Sequence, residues 1–169
     1  LAAMPGREAE FATAVDQALP YAEALAPRNV NVLAGWPPAE LGRQRCFETL
    51  AGNLGRAAEA FKPLAVRVLT EAVNSRDRPG YFLANSAQAI DAIEAAGHEN
   101  LAIEHDLYHM QIMEGDLIAG LAKLMPHIGH IQFADNPGRH QPGSGEINFP
   151  AVFAAIDASD YDGFAGAEY

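Results

Sequence analysis

The chain has 169 residues, 49% of them hydrophobic and 20% charged, which is enough for one domain with a core of useful size. Its net charge of −11 argues against a nucleic-acid-binding surface, which would carry a basic patch, and against an anionic membrane as partner. A locally positive pocket for a small acid remains compatible with that balance, because net charge does not describe a site.

Cys46 is the single cysteine, so no internal disulfide forms, and the chain suits a reducing, cytoplasmic setting. No apolar run approaches the roughly 18 residues of a membrane span. Leu1 to Gly6 lacks the basic and then apolar order of a signal peptide.

Ala3 to Ala26 reads as a helix between Pro5–Gly6 and Pro27, with Phe11, Val15, Leu19, Ala22 and Leu25 on its apolar stripe. Asn29 to Ala34 is a strand closed by Gly35. Pro37 to Phe61 is a long helix with Leu41, Phe47, Leu50 and Leu54 inward. Val66 to Val73 is the next strand, and Asn74 to Gly80 a loop carrying Arg76, Arg78 and Pro79. Ser86 caps a helix that Gly97 ends. Leu101 to Asp106 is a third strand, followed by a loop through Tyr108 and His109. Another helix starts at Gly115 or Asp116 and ends near Pro126. Ile128 to Ala134 has the length and composition of a buried strand. It breaks into a loop rich in Gly, Pro and polar groups, including Arg139 and His140, before a helix from Phe149 to Ala158. Gly163 to Tyr169 is a fifth strand.

Strand and helix thus alternate about every 30 residues, the length of one strand–helix–strand unit, which argues an α/β fold with a parallel sheet. No glycine-rich dinucleotide fingerprint or phosphate-binding loop follows any strand, so a (β/α)8 TIM barrel is the favoured architecture. Such barrels have eight strands and typically about 250 residues. The expectation is a partial barrel of five strands over residues 1–169, a single domain forming the C-terminal two-thirds, without the first three strands and the last helix.

Barrel chemistry sits at the C-terminal ends of strands. Those ends carry Glu71, Asp106, Gln132 and Glu168, three carboxylates and an amide, an oxygen-rich shell for a hard divalent cation such as Mg²⁺ or Mn²⁺. Strand parity places Arg67, Glu104 and His130 beneath them as a buried polar layer that orients the ligands. His109, three residues past Asp106, is a candidate for substrate contact. Arg139 and His140 are further candidates, Arg139 as a two-pronged partner for a substrate carboxylate or as a surface ion pair with Glu146.

At these residues the sequence closely resembles the hydroxypyruvate isomerase family of the xylose-isomerase-like barrels. The resemblance rests on TEAVNSRDRPGYFL (70–83), HDLYHMQIMEGDL (105–117), HIQFADNPGRHQPGSGEIN (130–148) and GFAGAEY (163–169), with weaker matches in PGREAEF (5–11) and VLAG (32–35). It implies a metal site of Glu71, Asp106, Gln132 and Glu168, with Glu71 and Glu168 passing the proton. It also implies an aldose–ketose type isomerase that interconverts hydroxypyruvate and tartronate semialdehyde through an enediolate. The family usually has Pro where Ala72 stands and Gln-Tyr where Glu104–His105 stand, which would retune the pocket without deleting a ligand.

A related sugar-acid isomerase or epimerase, for instance on a 2-oxo-tetronate, is the nearest alternative reading. A nuclease of the same superfamily would need more metal-binding histidines and a route for DNA. A truncated, non-catalytic fragment is the third. Five strands alone would leave an edge and apolar surface exposed, so the chain is expected to be incomplete as given or else an oligomer.

Overall fold

The computed structural model describes all of residues 1–169. Its elements in chain order are α1 (Glu8–Leu25), β1 (Asn29–Asn31), α2 (Arg43–Phe61), β2 (Arg67–Glu71), α3 (Ser86–Ala96), β3 (Leu101–Asp106), α4 (Leu107–Met113), α5 (Leu117–Leu124), β4 (Ile128–Phe133), α6 (Phe149–Asp157) and β5 (Ala165–Ala167). The five strands are parallel and pair in sequence order, an open arc of barrel sheet with β1 and β5 at its edges.

The two faces of that sheet follow from the alternation of side chains along a strand. Val68, Ile103 and Ile131 point outward and join one cluster of 33 buried residues. Against them α2 packs Cys46, Leu50, Leu54, Ala57, Ala58 and Phe61, and α3 packs Ala89, Ala92 and Ile93. The opposite face carries Asn29 and Asn31 of β1, Leu69 and Glu71 of β2, Ala102, Glu104 and Asp106 of β3, and Gln132 of β4.

β4 slips its register against β3 at Ile103/Glu104, so that Ile103 pairs with Ile128 and Glu104 with His130. The extra residue is Gly129. A Cβ on it would lie 2.5 Å from Leu69 Cδ2 and 2.9 Å from Ala102 Cβ, so only glycine fits that layer.

Several boundaries differ from the sequence expectation. α2 starts at Arg43, after a 3-10 turn over Ala39–Leu41 and Gly42 at φ 77, and its fully buried stripe includes Cys46, with Phe47 partly buried against the same core. α1 buries only Phe11 and Ala22, and Leu25 is 75% exposed. The cap of α3 is Asn85, whose side chain accepts the Gln88 N–H at 2.9 Å. Ser86 instead donates its N–H and hydroxyl to the Glu114 carboxylate. The loop expected after β3 is largely helix α4. No helix is long and apolar enough to cross a membrane.

Candidate active site

Asp106 ends β3 and caps α4 at the same time. Its Oδ1 accepts the Tyr108 N–H at 2.7 Å and the His109 N–H at 3.3 Å, which satisfies amides that a helix start leaves orphaned. The cap turns His109 back over the strand ends, so that its Nε2 lies 3.5 Å from Asp106 Oδ2 and 3.8 Å from Glu71 Oε1. Potential ligand atoms of Glu71, Asp106 and His109 all lie within 4.8 Å of one another, and all three residues are buried.

Below them Asn31 Nδ2 donates to Glu71 Oε2 at 2.9 Å and to Glu104 Oε1 at 3.1 Å. On the next strand the Gln132 amide satisfies its surroundings with Nε2 donating to Glu104 Oε1 at 2.7 Å and to Glu168 Oε2 at 3.0 Å. The four expected strand-end residues therefore meet at one mouth. Glu168 follows β5 and keeps the ladder with its N–H on Phe133 O at 3.0 Å, but its carboxylate is half exposed.

Arg139 joins this mouth from the loop after β4. Its Nη2 donates to Glu168 Oε2 at 2.7 Å and reaches Asp106 Oδ2 at 3.5 Å, while its guanidinium lies over Tyr108, 5.3 Å from the ring centroid. The surface pair with Glu146 does not form, because Glu146 accepts from Gln111 and Asn136 instead. The loop itself is wound around Asp135, which accepts the N–H groups of Asn136, Gly143, Gly145 and Ile147 at 2.8 to 3.1 Å. Burial opposes the Asp135 charge, yet these four amides hold its carboxyl below the ordinary carboxylate range.

Two other expected residues lie apart. His140 is exposed, its ring folded over Gly138, and its backbone closes a bridge with Asp135. Arg67 is exposed at the far end of β2, beside a cavity of about 890 Å³ that opens away from the carboxylates, so it does not join the polar layer. Leu69 intervenes between it and Glu71. Asn31 fills the supporting role instead. The repeat Asn-Val-Asn-Val in β1 was the available signal for it, since Asn31 shares the parity of the inward residues.

Burial, with Glu104 and Asp106 nearby, pushes the Glu71 carboxyl up to about 8. Burial likewise raises Glu104 to about 7, Asp106 and Glu168 adding to it against the Asn31 hydrogen bond. Burial and the charge of Arg139 lower His109 to about 4. A cluster of buried acids that resists ionisation is the donor chemistry a hard divalent cation relieves. The buried group of Glu71, Asp106 and His109 thus has the donor chemistry to hold such an ion, while Glu168 is half exposed and paired with Arg139. Gln132 donates to Glu104 and Glu168 in one orientation of its amide and offers Oε1 in the other.

All 169 residues match a family model described as xylose isomerase-like TIM barrel. The chain belongs to that family. It is 43% identical over 169 residues to the 2-oxo-tetronate isomerase of Cupriavidus necator, and all of it aligns with 65% of that protein. It is 42% identical to the hydroxypyruvate isomerase of Escherichia coli K12, again along its whole length and over 66% of that relative. A crystal structure titled AP endonuclease, family 2, from Brucella melitensis superposes with a TM-score of 0.96 at 39% identity, over 100% of this chain and 65% of that one. The chain thus spans about two-thirds of the length of the relatives it matches.

Proposed function

We propose that the chain carries the site of an isomerase acting on short 2-oxo-hydroxy acids, with hydroxypyruvate and tartronate semialdehyde as the substrate pair. The observation that supports this reading is the buried cluster of Glu71, Asp106 and His109, to which Arg139 ties Glu168 by reaching both Glu168 Oε2 and Asp106 Oδ2. The names of the two isomerase relatives support the reaction class.

In this reaction a proton leaves the hydroxyl-bearing carbon, an enediolate forms, and a proton returns to the neighbouring carbon that bore the carbonyl. The hydroxyl proton passes between the two oxygens, so atoms and electrons balance. One of Glu71 and Glu168 removes the first proton and the other, on the far side of the arc, returns one. Arg139 holds the substrate carboxylate with Nη1, which makes no hydrogen bond within the chain, while Nη2 stays on Glu168. His109 donates to a substrate oxygen. Mg²⁺ or Mn²⁺ held by Glu71, Asp106, Glu168 and the Gln132 amide oxygen would supply positive charge where the enediolate gathers its negative charge.

The test is turnover of hydroxypyruvate with Mg²⁺ or Mn²⁺, after chelation, and in Glu71→Gln and Glu168→Gln. Both variants are expected to lose turnover far more than substrate binding; full activity in both would overturn the assignment. A 2-oxo-tetronate is the second substrate to assay, because the Cupriavidus relative bears that name. A DNA-directed activity is disfavoured by the net charge of −11.

A further inference from the structure

Asn74 lies three residues beyond Glu71, outside the strand, and its side chain is fully buried between the end of β2 and α4. Its amide orientation is fixed twice. Asn74 Oδ1 accepts the Asp77 N–H at 2.8 Å, and Asn74 Nδ2 donates to Asp77 Oδ2 at 3.0 Å. The amide nitrogen has one hydrogen left, and that hydrogen faces His109 Nδ1 at 2.7 Å. Nδ1 is therefore the acceptor of that contact, and an imidazole that accepts at Nδ1 carries its one proton on Nε2. Nε2 is the atom that faces Glu71 Oε1 and Asp106 Oδ2.

Asp77 is itself held in place, since the Tyr108 hydroxyl donates to Asp77 Oδ2 at 2.5 Å. The loop after β2 is thus pinned to α4 at two consecutive residues, Tyr108 below Arg139 and His109 above the carboxylates. A lone pair at Nε2, which a metal ligand needs, is not available in this arrangement. An N–H at that atom is.

We infer that Asn74 is a positioning residue that fixes the His109 tautomer, so that His109 meets the substrate as an Nε2–H donor and stands outside the metal ligand set. The inference rests on the isomerase reading for the substrate, and on geometry alone for the tautomer. A fixed donor aimed where an oxygen gains charge stabilises the enediolate without reorganising during the reaction. Asn74 does this through His109 and touches no reacting atom.

The experiment is ¹⁵N NMR of histidine-labelled full chain at neutral pH, with and without Mg²⁺, using His109→Asn to assign the ring among the six histidines. Long-range nitrogen–proton correlations identify which ring nitrogen carries the proton. The expected result is Nε2–H for His109 in both conditions. The second arm is Asn74→Asp, which keeps the size of the side chain and its acceptor for Asp77 N–H but replaces the donor to Nδ1 by an acceptor. Because the new carboxylate would also face Asp77 Oδ2, the change is made in an Asp77→Asn background, which restores a donor across that pair and keeps an acceptor for the Tyr108 hydroxyl, so a residue that only holds the loop tolerates it relative to Asp77→Asn alone. Here the proton is expected to appear on Nδ1, and kcat on the acid that the wild type turns over is expected to fall about 100-fold, with KM altered only a few-fold.

A wild-type ring protonated on Nδ1, or on both nitrogens, would overturn the inference. So would an Asn74→Asp protein in that background with tautomer and turnover unchanged from Asp77→Asn alone. An Nε2–H wild type that isomerises none of the acids tested would uphold the tautomer and count against the isomerase reading instead.

Discussion

Asp106 grips His109 from both ends of the same three-residue span: its Oδ1 accepts the His109 backbone N–H at 3.3 Å, and its Oδ2 lies 3.5 Å from the ring Nε2. One carboxylate therefore starts a helix and places that helix's first functional side chain. The helix geometry and the site chemistry share an atom group, and substitutions at Asp106 separate them.

Asp106→Asn keeps an acceptor for the α4 amides but removes the charge. Asp106→Ala removes both. Denaturant unfolding of the chelated chain is expected to find the alanine variant about 1 kcal/mol less stable than the asparagine variant, the usual cost of losing a helix cap. Both variants are expected to lose divalent-cation binding in calorimetric titration. Equal stabilities would show that the cap contributes nothing.

Glu71 and Glu104 set a pH dependence of opposite sign to that of ordinary acid denaturation. Their carboxyls hold protons in the folded chain up to about 8 and about 7, whereas an unfolded glutamate releases its proton near its model value of 4.5. The folded state binds more protons across that window, so the stability they contribute declines as pH rises from about 4.5 to about 8. The expected outcome in chelator is a Tm contribution falling over this range and weakened in Glu104→Gln. Added Mg²⁺ or Mn²⁺ should raise Tm more at pH 8 than at pH 5. A cation effect independent of pH would count against those acids as its ligands.

Asp135 anchors the loop that carries Arg139. Replacing it with alanine orphans four backbone N–H groups, and a loss on the order of 3 kcal/mol is expected. Hydrogen exchange should show the amides of Gly143, Gly145 and Ile147 losing protection before those of β4. Because the folded carboxyl lies below the ordinary range, its stabilisation holds above that range and fades as pH falls through it.

Gly129→Ala overfills the inner layer, where the added Cβ would meet Leu69 Cδ2 at 2.5 Å and Ala102 Cβ at 2.9 Å. Overpacking of this kind costs about 1–3 kcal/mol. Leu69→Ala vacates part of that space, so the double variant should be more stable than the sum of the single effects allows. Additive losses in the cycle would show that the two residues do not compete for the same volume.

Much of this site was legible because strand ends in a barrel face one mouth. Glu71, Asp106, Gln132 and Glu168 could be found by locating four strands and reading their last polar residue. Helix α4 was not legible, since its seven residues LYHMQIM are too few for a periodic stripe and its cap is a residue already counted as the end of a strand. Asn74 was invisible for a different reason. Its partner is 35 residues away, and no local pattern marks an amide that will be buried against a histidine. Arg67 was misplaced because parity gives the face of a strand but not the height along it. His140 was misplaced because the loop closes on Asp135 through backbone groups, which turns the ring over Gly138 instead of toward the carboxylates.

The alternation of the sheet has a consequence for how the chain tolerates substitution. Outward residues such as Val68, Ile103 and Ile131 belong to the hydrophobic cluster, and a swap there costs volume. Their immediate neighbours Glu104 and Gln132 share hydrogen bonds between strands, so a swap there breaks a partnership. A saturation scan of β2, β3 and β4 would therefore show a two-residue rhythm. At one beat hydrophobic exchanges survive; at the next, even isosteric exchanges change the charge state of the whole mouth.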